Sequence, residues 1–248
     1  METNYDDIAQ EYQEIKNEPW RLHCEEHMIR ELVGDLAGKS VLDLACGEGH
    51  LTRRLKRHGA RRVVGVDLSQ GMIDLATAQE AQRPLGIEYA THDVRGLDLG
   101  ERFDRITAGW LLSYSPTTGD LLEMGRTIAR HLTPDGHFAT IDNHHDIAYR
   151  QFGKLRAYNV GKEVPHEVAD GTPVRVWGYL PGGGTVEMEV YHYSHETYES
   201  VLHEAGLDQI TWHRPMIAPE GMELFGADYW DYWIKHPFLM GMTAKRRS

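Results

Sequence analysis

The run Asp43-Leu44-Ala45-Cys46-Gly47-Glu48-Gly49 ends an apolar stretch and opens a helix-forming one. Small residues at such a turn let a ligand approach the backbone closely. A dinucleotide site would put pyrophosphate here, but Thr52 stands where G-x-G-x-x-G needs its third glycine, and Asp43 and Glu48 bring negative charge. A cationic ligand without pyrophosphate suits the turn better. An α-amino group can donate to strand-end carbonyls, and an acidic mouth favours a sulfonium. Asp67 closes a second apolar run 20 residues beyond Gly47, the spacing at which a carboxylate accepts from ribose hydroxyls. Asp93 and Val94 close a third, where a carboxylate can accept from an adenine amino group while a backbone N–H meets the ring. Met72 offers an apolar plate for the base.

These residues need a scaffold that brings strand ends together. Strands are expected at 41–45, 62–67, 87–90, 103–108 and 137–141, because each is a short apolar run bounded by turn residues. Helices are expected between them. Leu22, Ile29, Leu32, Val33 and Leu36 recur at helical spacing before Gly38; Leu51 and Leu55 precede His58-Gly59; Ser69 caps a helix that Pro84 breaks; another runs over 118–132. This alternation predicts a mostly parallel sheet with helices on both faces and ligands at the carboxyl ends of its strands. Residues 174–180 and 185–191 flank Pro181-Gly182-Gly183-Gly184 and predict an antiparallel β-hairpin, inserted as a lid. A helix capped by Ser194 and strands at 207–212 and 238–244 complete an expected seven-stranded sheet. One domain is expected: a helical cover at 1–37, a cofactor-binding core at 38–142, a substrate lid at 143–193, and a closing helix with antiparallel strands at 194–248.

With 248 residues, 41% of them hydrophobic and 26% charged, the chain has an ordinary globular composition, and disordered and fibrous classes are excluded. A formal charge of −12 repels nucleic-acid phosphates and anionic membrane faces, so a small-molecule substrate is expected. No run approaches the ~20 apolar residues of a membrane helix, and the start lacks the basic and apolar regions of a signal peptide. A cytoplasmic location is expected. Cys24 and Cys46 read as free thiols. His23-Cys24-Glu25-Glu26-His27 matches the H-x-x-E-H zinc pattern, but no third ligand suggests itself, and adjacent His144 and His145 point opposite ways on an extended segment. No metal is expected.

In order and spacing, Asp43-x-Ala45-Cys46-Gly47-x-Gly49, Val66-Asp67-Leu68-Ser69-x-x-Met72 and His92-Asp93-Val94 resemble the class I S-adenosylmethionine-dependent methyltransferases over about residues 36–142. Tyr5-Asp6-x-Ile8-Ala9-x-x-Tyr12 and Pro19-Trp20-Arg21 look like the cofactor-covering segment of the small-molecule branch. Within it the pattern looks most like toxoflavin-type N-methyltransferases, whose substrates are planar heteroaromatics such as azapteridines. The resemblance implies a Rossmann-like fold, S-adenosylmethionine as cofactor and S-adenosylhomocysteine as product. It implies Asp67 and Leu68 at the ribose, Asp93 and Val94 at adenine, and Met72 beside the ring. Asp43 and the backbone from Ala45 to Gly49 would surround the methionine moiety, with Tyr12 in the cover and Arg21 on the carboxylate.

Trp110 and Tyr114 follow the fourth strand, where the transferable methyl should emerge. Asn143 at the end of the fifth strand, with Trp177 and Tyr179 on the hairpin, is expected at an acceptor ring held by stacking. A ring nitrogen with a lone pair needs no base. A phenol would, and His144 is then the candidate, with Tyr5 or Tyr114 orienting the acceptor. The expected reaction is N-methylation of a small heterocycle, as in antibiotic or other secondary-metabolite biosynthesis, by a monomer or homodimer. O-methylation of a phenol, a nicotinamide-dependent oxidoreductase and a non-catalytic cofactor-binding module are the alternatives.

Overall fold

The computed structural model describes residues 18–143, 152–180 and 182–247. A π turn over Arg21–Glu25 runs into helix α1 (Glu26–Val33). There follow β1 (Ser40–Leu44), α2 (His50–Arg57), β2 (Arg62–Asp67), α3 (Gln70–Gln82), β3 (Ile87–Thr91), β4 (Phe103–Gly109), α4 (Thr118–His131) and β5 (Leu132–Asn143). Next come β6 (Val160–Glu163), β7 (Thr172–Tyr179), β8 (Thr185–His192), α5 (His195–Glu204), β9 (Leu207–His213), α6 (Pro219–Lys235) and β10 (Leu239–Arg246).

Strands β1 to β5 are parallel, and β10 runs antiparallel between β5 and β9, giving the order β3-β2-β1-β4-β5-β10-β9. This is a Rossmann-like α/β fold with a mostly parallel seven-stranded sheet. All of central β1 is buried, as a strand covered on both faces requires. Val41 packs with Ile29 of α1 and Ile141 of β5 in one core, while Leu42 and Leu44 pack with Ile106, Leu121 and Leu202 in the other. Strand order reverses between β1 and β4, so the connections from their carboxyl ends leave in opposite directions and a crevice opens between them. The Ser69 hydroxyl caps α3 by accepting from Met72 N at 3.1 Å, as its sequence position predicts.

Three elements differ from expectation. The hairpin gains a third strand, β6, and forms a separate antiparallel sheet β6-β7-β8. Strand β5 begins at Leu132, before the Pro134-Asp135-Gly136 turn expected to precede it. Helix α6, unforeseen, fills the stretch between β9 and β10; Gly226 at φ 75° kinks it, and Trp230 and Trp233 on it are wholly buried. Tyr158, Tyr193 and Tyr198 are buried as well. The small sheet packs its Val160, Val174 and Val176 into the same core, and its Val186 meets Met72 of α3.

Candidate active site

A cavity of about 360 Å³ lies at the carboxyl ends of β1, β2 and β4. Its base is the turn after β1. Ala45 and Gly47 are left-handed there (φ 54° and 55°), and Gly49 starts α2 at φ 83°. A Cβ on Gly47 would meet nothing within 4 Å, so a ligand can lie against that backbone. Gly49 has another reason for being glycine: its Cβ would stand 2.3 Å from the Tyr89 hydroxyl. That hydroxyl is buried with no hydrogen-bond partner among the described residues, and burial, with the negative charge of Asp43 adding to it, pushes the phenol's pKa up. Gly65 on β2 makes room for the same ring.

Three strand-end acids surround the turn. Asp67 Oδ2 accepts from Gly47 N at 2.7 Å and Oδ1 from Ser69 N at 2.9 Å, so one carboxylate ties the glycine turn to the start of α3. Asp43, buried, accepts from Thr52 Oγ1 at 2.6 Å and Thr107 Oγ1 at 2.7 Å. Thr52 therefore has a task a third glycine could not perform. Asp93 is gripped by Arg95, whose Nη2 stands 2.7 Å from Oδ2 and whose backbone N donates to Oδ1 at 2.8 Å. Burial pulls the Asp93 carboxyl up, but the Arg95 guanidinium and N–H together hold it below the usual carboxylate range. Arg95 also reaches Asp120 at 2.9 Å. Val94 is buried beside the cavity, Met72 lines it while packing on Val186, and Leu68, 61% exposed, stands at its mouth.

The opposite wall comes from the π turn, α1, the end of β4 and the edge strand β8. Trp110, left-handed at φ 60°, holds a conformation that costs a bulky residue about 1–3 kcal/mol. Its Nε1 donates to Glu25 Oε2 at 3.0 Å, and Arg21 Nη1 donates to the same oxygen at 2.8 Å. Glu26 meets His50 at 2.6 Å and Arg54 at 2.8 Å. From β8, Tyr191 donates its hydroxyl to Glu189 at 3.2 Å. Among the described residues, Glu25, Glu26, Asp43, Asp67, Asp93 and Glu189 thus line one space alongside one arginine, Arg95, and His50. Its electrostatic preference is for a cation.

Trp110 and Tyr114 also line a second, smaller pocket of about 30 Å³ beneath the β6-β7-β8 sheet. Arg21, Asn143 and Trp177 lie there rather than on the larger cavity, so the structure puts Arg21 among the residues expected at the acceptor. Tyr179, under the Arg156 guanidinium at 3.4 Å, is on neither lining among the described residues. Tyr5, Tyr12 and His144 lie outside the described residues. The zinc-like pattern does not converge: His23 packs on Phe225 and His27 meets Arg30 at 2.9 Å, and among the described residues no three metal-ligating side chains cluster. Sequence reasoning missed Glu25, Glu189, Tyr191 and Arg95; only Arg95, two residues from Asp93, had a local signal.

Residues 41–136 match the family model described as a methyltransferase domain. A ubiquinone biosynthesis O-methyltransferase of Coxiella burnetii is 36% identical over 138 residues, 54% of this chain and 57% of that protein. The chain thus spans little more than half the length of that curated relative. An N-demethylindolmycin N-methyltransferase of Streptomyces griseus is 29% identical over 183 residues, 69% of this chain and 70% of that protein. The crystal structure of an S-adenosylmethionine-dependent methyltransferase from Mesorhizobium loti aligns with a TM-score of 0.63 at 20% identity, covering 94% of this chain and 100% of that one.

Proposed function

With a methyltransferase domain at residues 41–136 and the fold of S-adenosylmethionine-dependent methyltransferases as premise, we propose that the chain methylates a small planar heteroaromatic molecule at nitrogen. One observation carries this reading. The glycine turn, Asp67 and the Asp93-Val94 pair face a single cavity whose lining is acidic and apolar, which suits an adenosyl sulfonium and repels a diphosphate. The open space over left-handed Gly47 fits a ligand laid on backbone. In this reading Asp67, with Leu68 beside it, accepts from the ribose hydroxyls, Asp93 and Val94 meet adenine, Met72 flanks it, and Asp43 with Ala45 to Gly49 surrounds the amino-acid end. Residues 38–142 hold the cofactor, and residues 143–193 with Trp110 and Tyr114 enclose the acceptor.

S-adenosylmethionine, when bound, supplies an electrophilic methyl whose leaving group departs neutral and needs no acid. The chain contributes position. Alignment of nucleophile and methyl at ~3–3.5 Å can remove up to about 7–11 kcal/mol of entropic and solvent cost. Trp110 is well suited to set that alignment, because its backbone is locked against Ile141 O at 2.9 Å and its indole against Glu25. The apolar underside of the β6-β7-β8 sheet excludes water. A lone-pair nitrogen then attacks without a base.

Calorimetric titration with S-adenosylhomocysteine and with NAD, followed by labelled-methyl transfer to a heterocycle panel, tests the reading. Binding of the former and label on ring nitrogen are expected; preference for NAD, or tight cofactor binding with no transfer to any acceptor, overturns it. O-methylation of a phenol is the second reading, favoured by the Coxiella relative, and phenolic members of the panel decide between them.

A further inference from the structure

On two of the residues lining the smaller pocket, Trp20 Nε1 and Asn143 Oδ1 have no hydrogen-bond partner among the described residues, and Arg21, whose Nη1 donates to Glu25, lines the pocket beside them. Trp20 and Asn143 are 1% and 4% exposed. An unsatisfied buried polar group costs about 1–3 kcal/mol, and native proteins hold few, so two beside one small pocket need a reason. The Asn143 amide orientation follows from its neighbours. Its Nδ2 donates to Ser113 Oγ at 3.2 Å, and the Ser113 hydroxyl is itself bonded to the Asp142 carboxylate, which accepts from Ser113 N at 2.9 Å as well. A serine whose proton goes to a carboxylate must accept from the amide, so Asn143 turns its NH2 to Ser113 and keeps its carbonyl oxygen for something else. An indole N–H can only donate. The pocket thus sets this donor and this acceptor beside the Arg21 guanidinium, which is turned to Glu25, and the Tyr114 phenol, and the rest of its lining is largely aromatic and aliphatic: Trp110, Val176, Trp177, Met188 and Phe238.

We propose that Trp20 Nε1 and Asn143 Oδ1 are the recognition pair for the methyl acceptor, and that the acceptor is a flat ring bearing an N–H donor and a carbonyl acceptor on one edge, as in a cyclic amide. This rests on the methyl-transfer reading above and names its substrate class. Size sets the pose. About 30 Å³ is one water's share of volume, enough for the polar edge of a ring and too little for the ring itself. The body of the ring therefore extends past Trp110 and Tyr114, which line both spaces, and its far side faces the larger cavity where the methyl is delivered. The N–H that meets Asn143 is not the nitrogen methylated.

The test uses the full chain saturated with S-adenosylhomocysteine and three matched probes: 2-quinolinone with donor and acceptor, N-methyl-2-quinolinone with the acceptor alone, and indole with the donor alone. Equilibrium binding should rank 2-quinolinone at least tenfold tighter than either of the others. Asn143→Leu and Trp20→Phe should each erase that preference while S-adenosylhomocysteine affinity stays within twofold. Equal affinity of the three probes, binding by none of them, or a preference that survives both substitutions overturns the proposal, the last pointing to an ordered water in the pocket. Should either variant fail to fold, the ranking on the unmodified chain decides alone. Failure of the unmodified chain to bind S-adenosylhomocysteine would sink the methyl-transfer reading instead.

Discussion

Asp67→Asn separates a carboxylate that only braces the chain from one that also holds a ligand. Its two oxygens accept from Gly47 N at 2.7 Å and Ser69 N at 2.9 Å. Asparagine offers one oxygen and one NH2, so in either rotamer one backbone N–H faces another donor. Leaving such a half-buried donor unmatched costs about 1–3 kcal/mol, and that is the expected loss of stability in urea. The same change loosens Gly47, which supports the ligand, and removes an acceptor for a ribose hydroxyl. Affinity for S-adenosylhomocysteine should therefore fall by a further ~1–3 kcal/mol, roughly 5- to 150-fold at 1.4 kcal/mol per decade. Titration calorimetry at fixed salt reads the affinity, and urea denaturation without ligand reads the stability. A variant that is less stable yet binds within twofold of the parent would reduce Asp67 to a brace of the turn and refute the ribose role.

Tyr89→Phe removes a buried hydroxyl that has no partner among the described residues, so stability should stay level or rise by about 1 kcal/mol in urea; a loss above 1 kcal/mol would reveal an unseen partner. Gly49→Ala should cost about 1–2 kcal/mol from the left-handed backbone, plus the clash of a Cβ 2.3 Å from the Tyr89 hydroxyl. Part of that cost should vanish when the two substitutions are combined, and strict additivity would contradict the contact. Burial brings the Lys162 ammonium down from 10.5 to about 8, against the opposing pull of Asp142. The unfolded chain then binds more protons than the folded one between those pH values, so this residue's penalty is full below pH 8 and fades as pH rises toward 10.5. Urea midpoints of the parent minus those of Lys162→Met should climb across that window, and a flat difference would refute the assignment.

Legibility in the sequence followed the range of the interactions. Strands β1, β2 and β4 and the cap at Ser69 declare themselves because a doubly covered strand is a short apolar run and a cap is local. Asp43, Asp67 and Asp93 were readable by their places at strand ends. Their surroundings were not: Thr107 reaches Asp43 from 64 residues away, and Glu25 meets Trp110 across 85. Neither pairing leaves a trace in spacing. Strand β6 is only Val-Gly-Lys-Glu, with a lysine on its buried side, and no periodicity marks four such residues. Helix α6 mixes buried Trp230 and Trp233 with exposed Leu224 and a glycine kink, which blurs its apolar stripe. Gly49 read as a ligand-contact glycine, and its Cβ position turned out to be claimed by Tyr89.

The acids around the cavity divide by where charge sits during the proposed reaction. Before transfer the positive charge is on sulfur; after attack by a neutral nitrogen it is on the acceptor. A carboxylate near the sulfur end strengthens binding without lowering the barrier, whereas one near the acceptor grows more favourable as charge arrives, and only the second kind accelerates the step. Asp43 and Asp67, at the ends of β1 and β2, are held by threonine hydroxyls and backbone N–H groups, neutral donors that fix a carboxylate without cancelling its charge. Glu189 enters from β8, on the side of the small sheet, with Tyr191 steadying it at 3.2 Å. Glu189→Gln keeps the shape and removes the charge. At an effective dielectric near 20 and a separation of roughly 8–16 Å, a unit charge is worth about 1–2 kcal/mol, so kcat should fall roughly 5- to 30-fold. S-adenosylhomocysteine, with its neutral sulfur, should bind the variant within twofold of the parent. An equal loss in kcat and in that affinity would mean that Glu189 serves the binding of the cofactor, and the division by charge would fail.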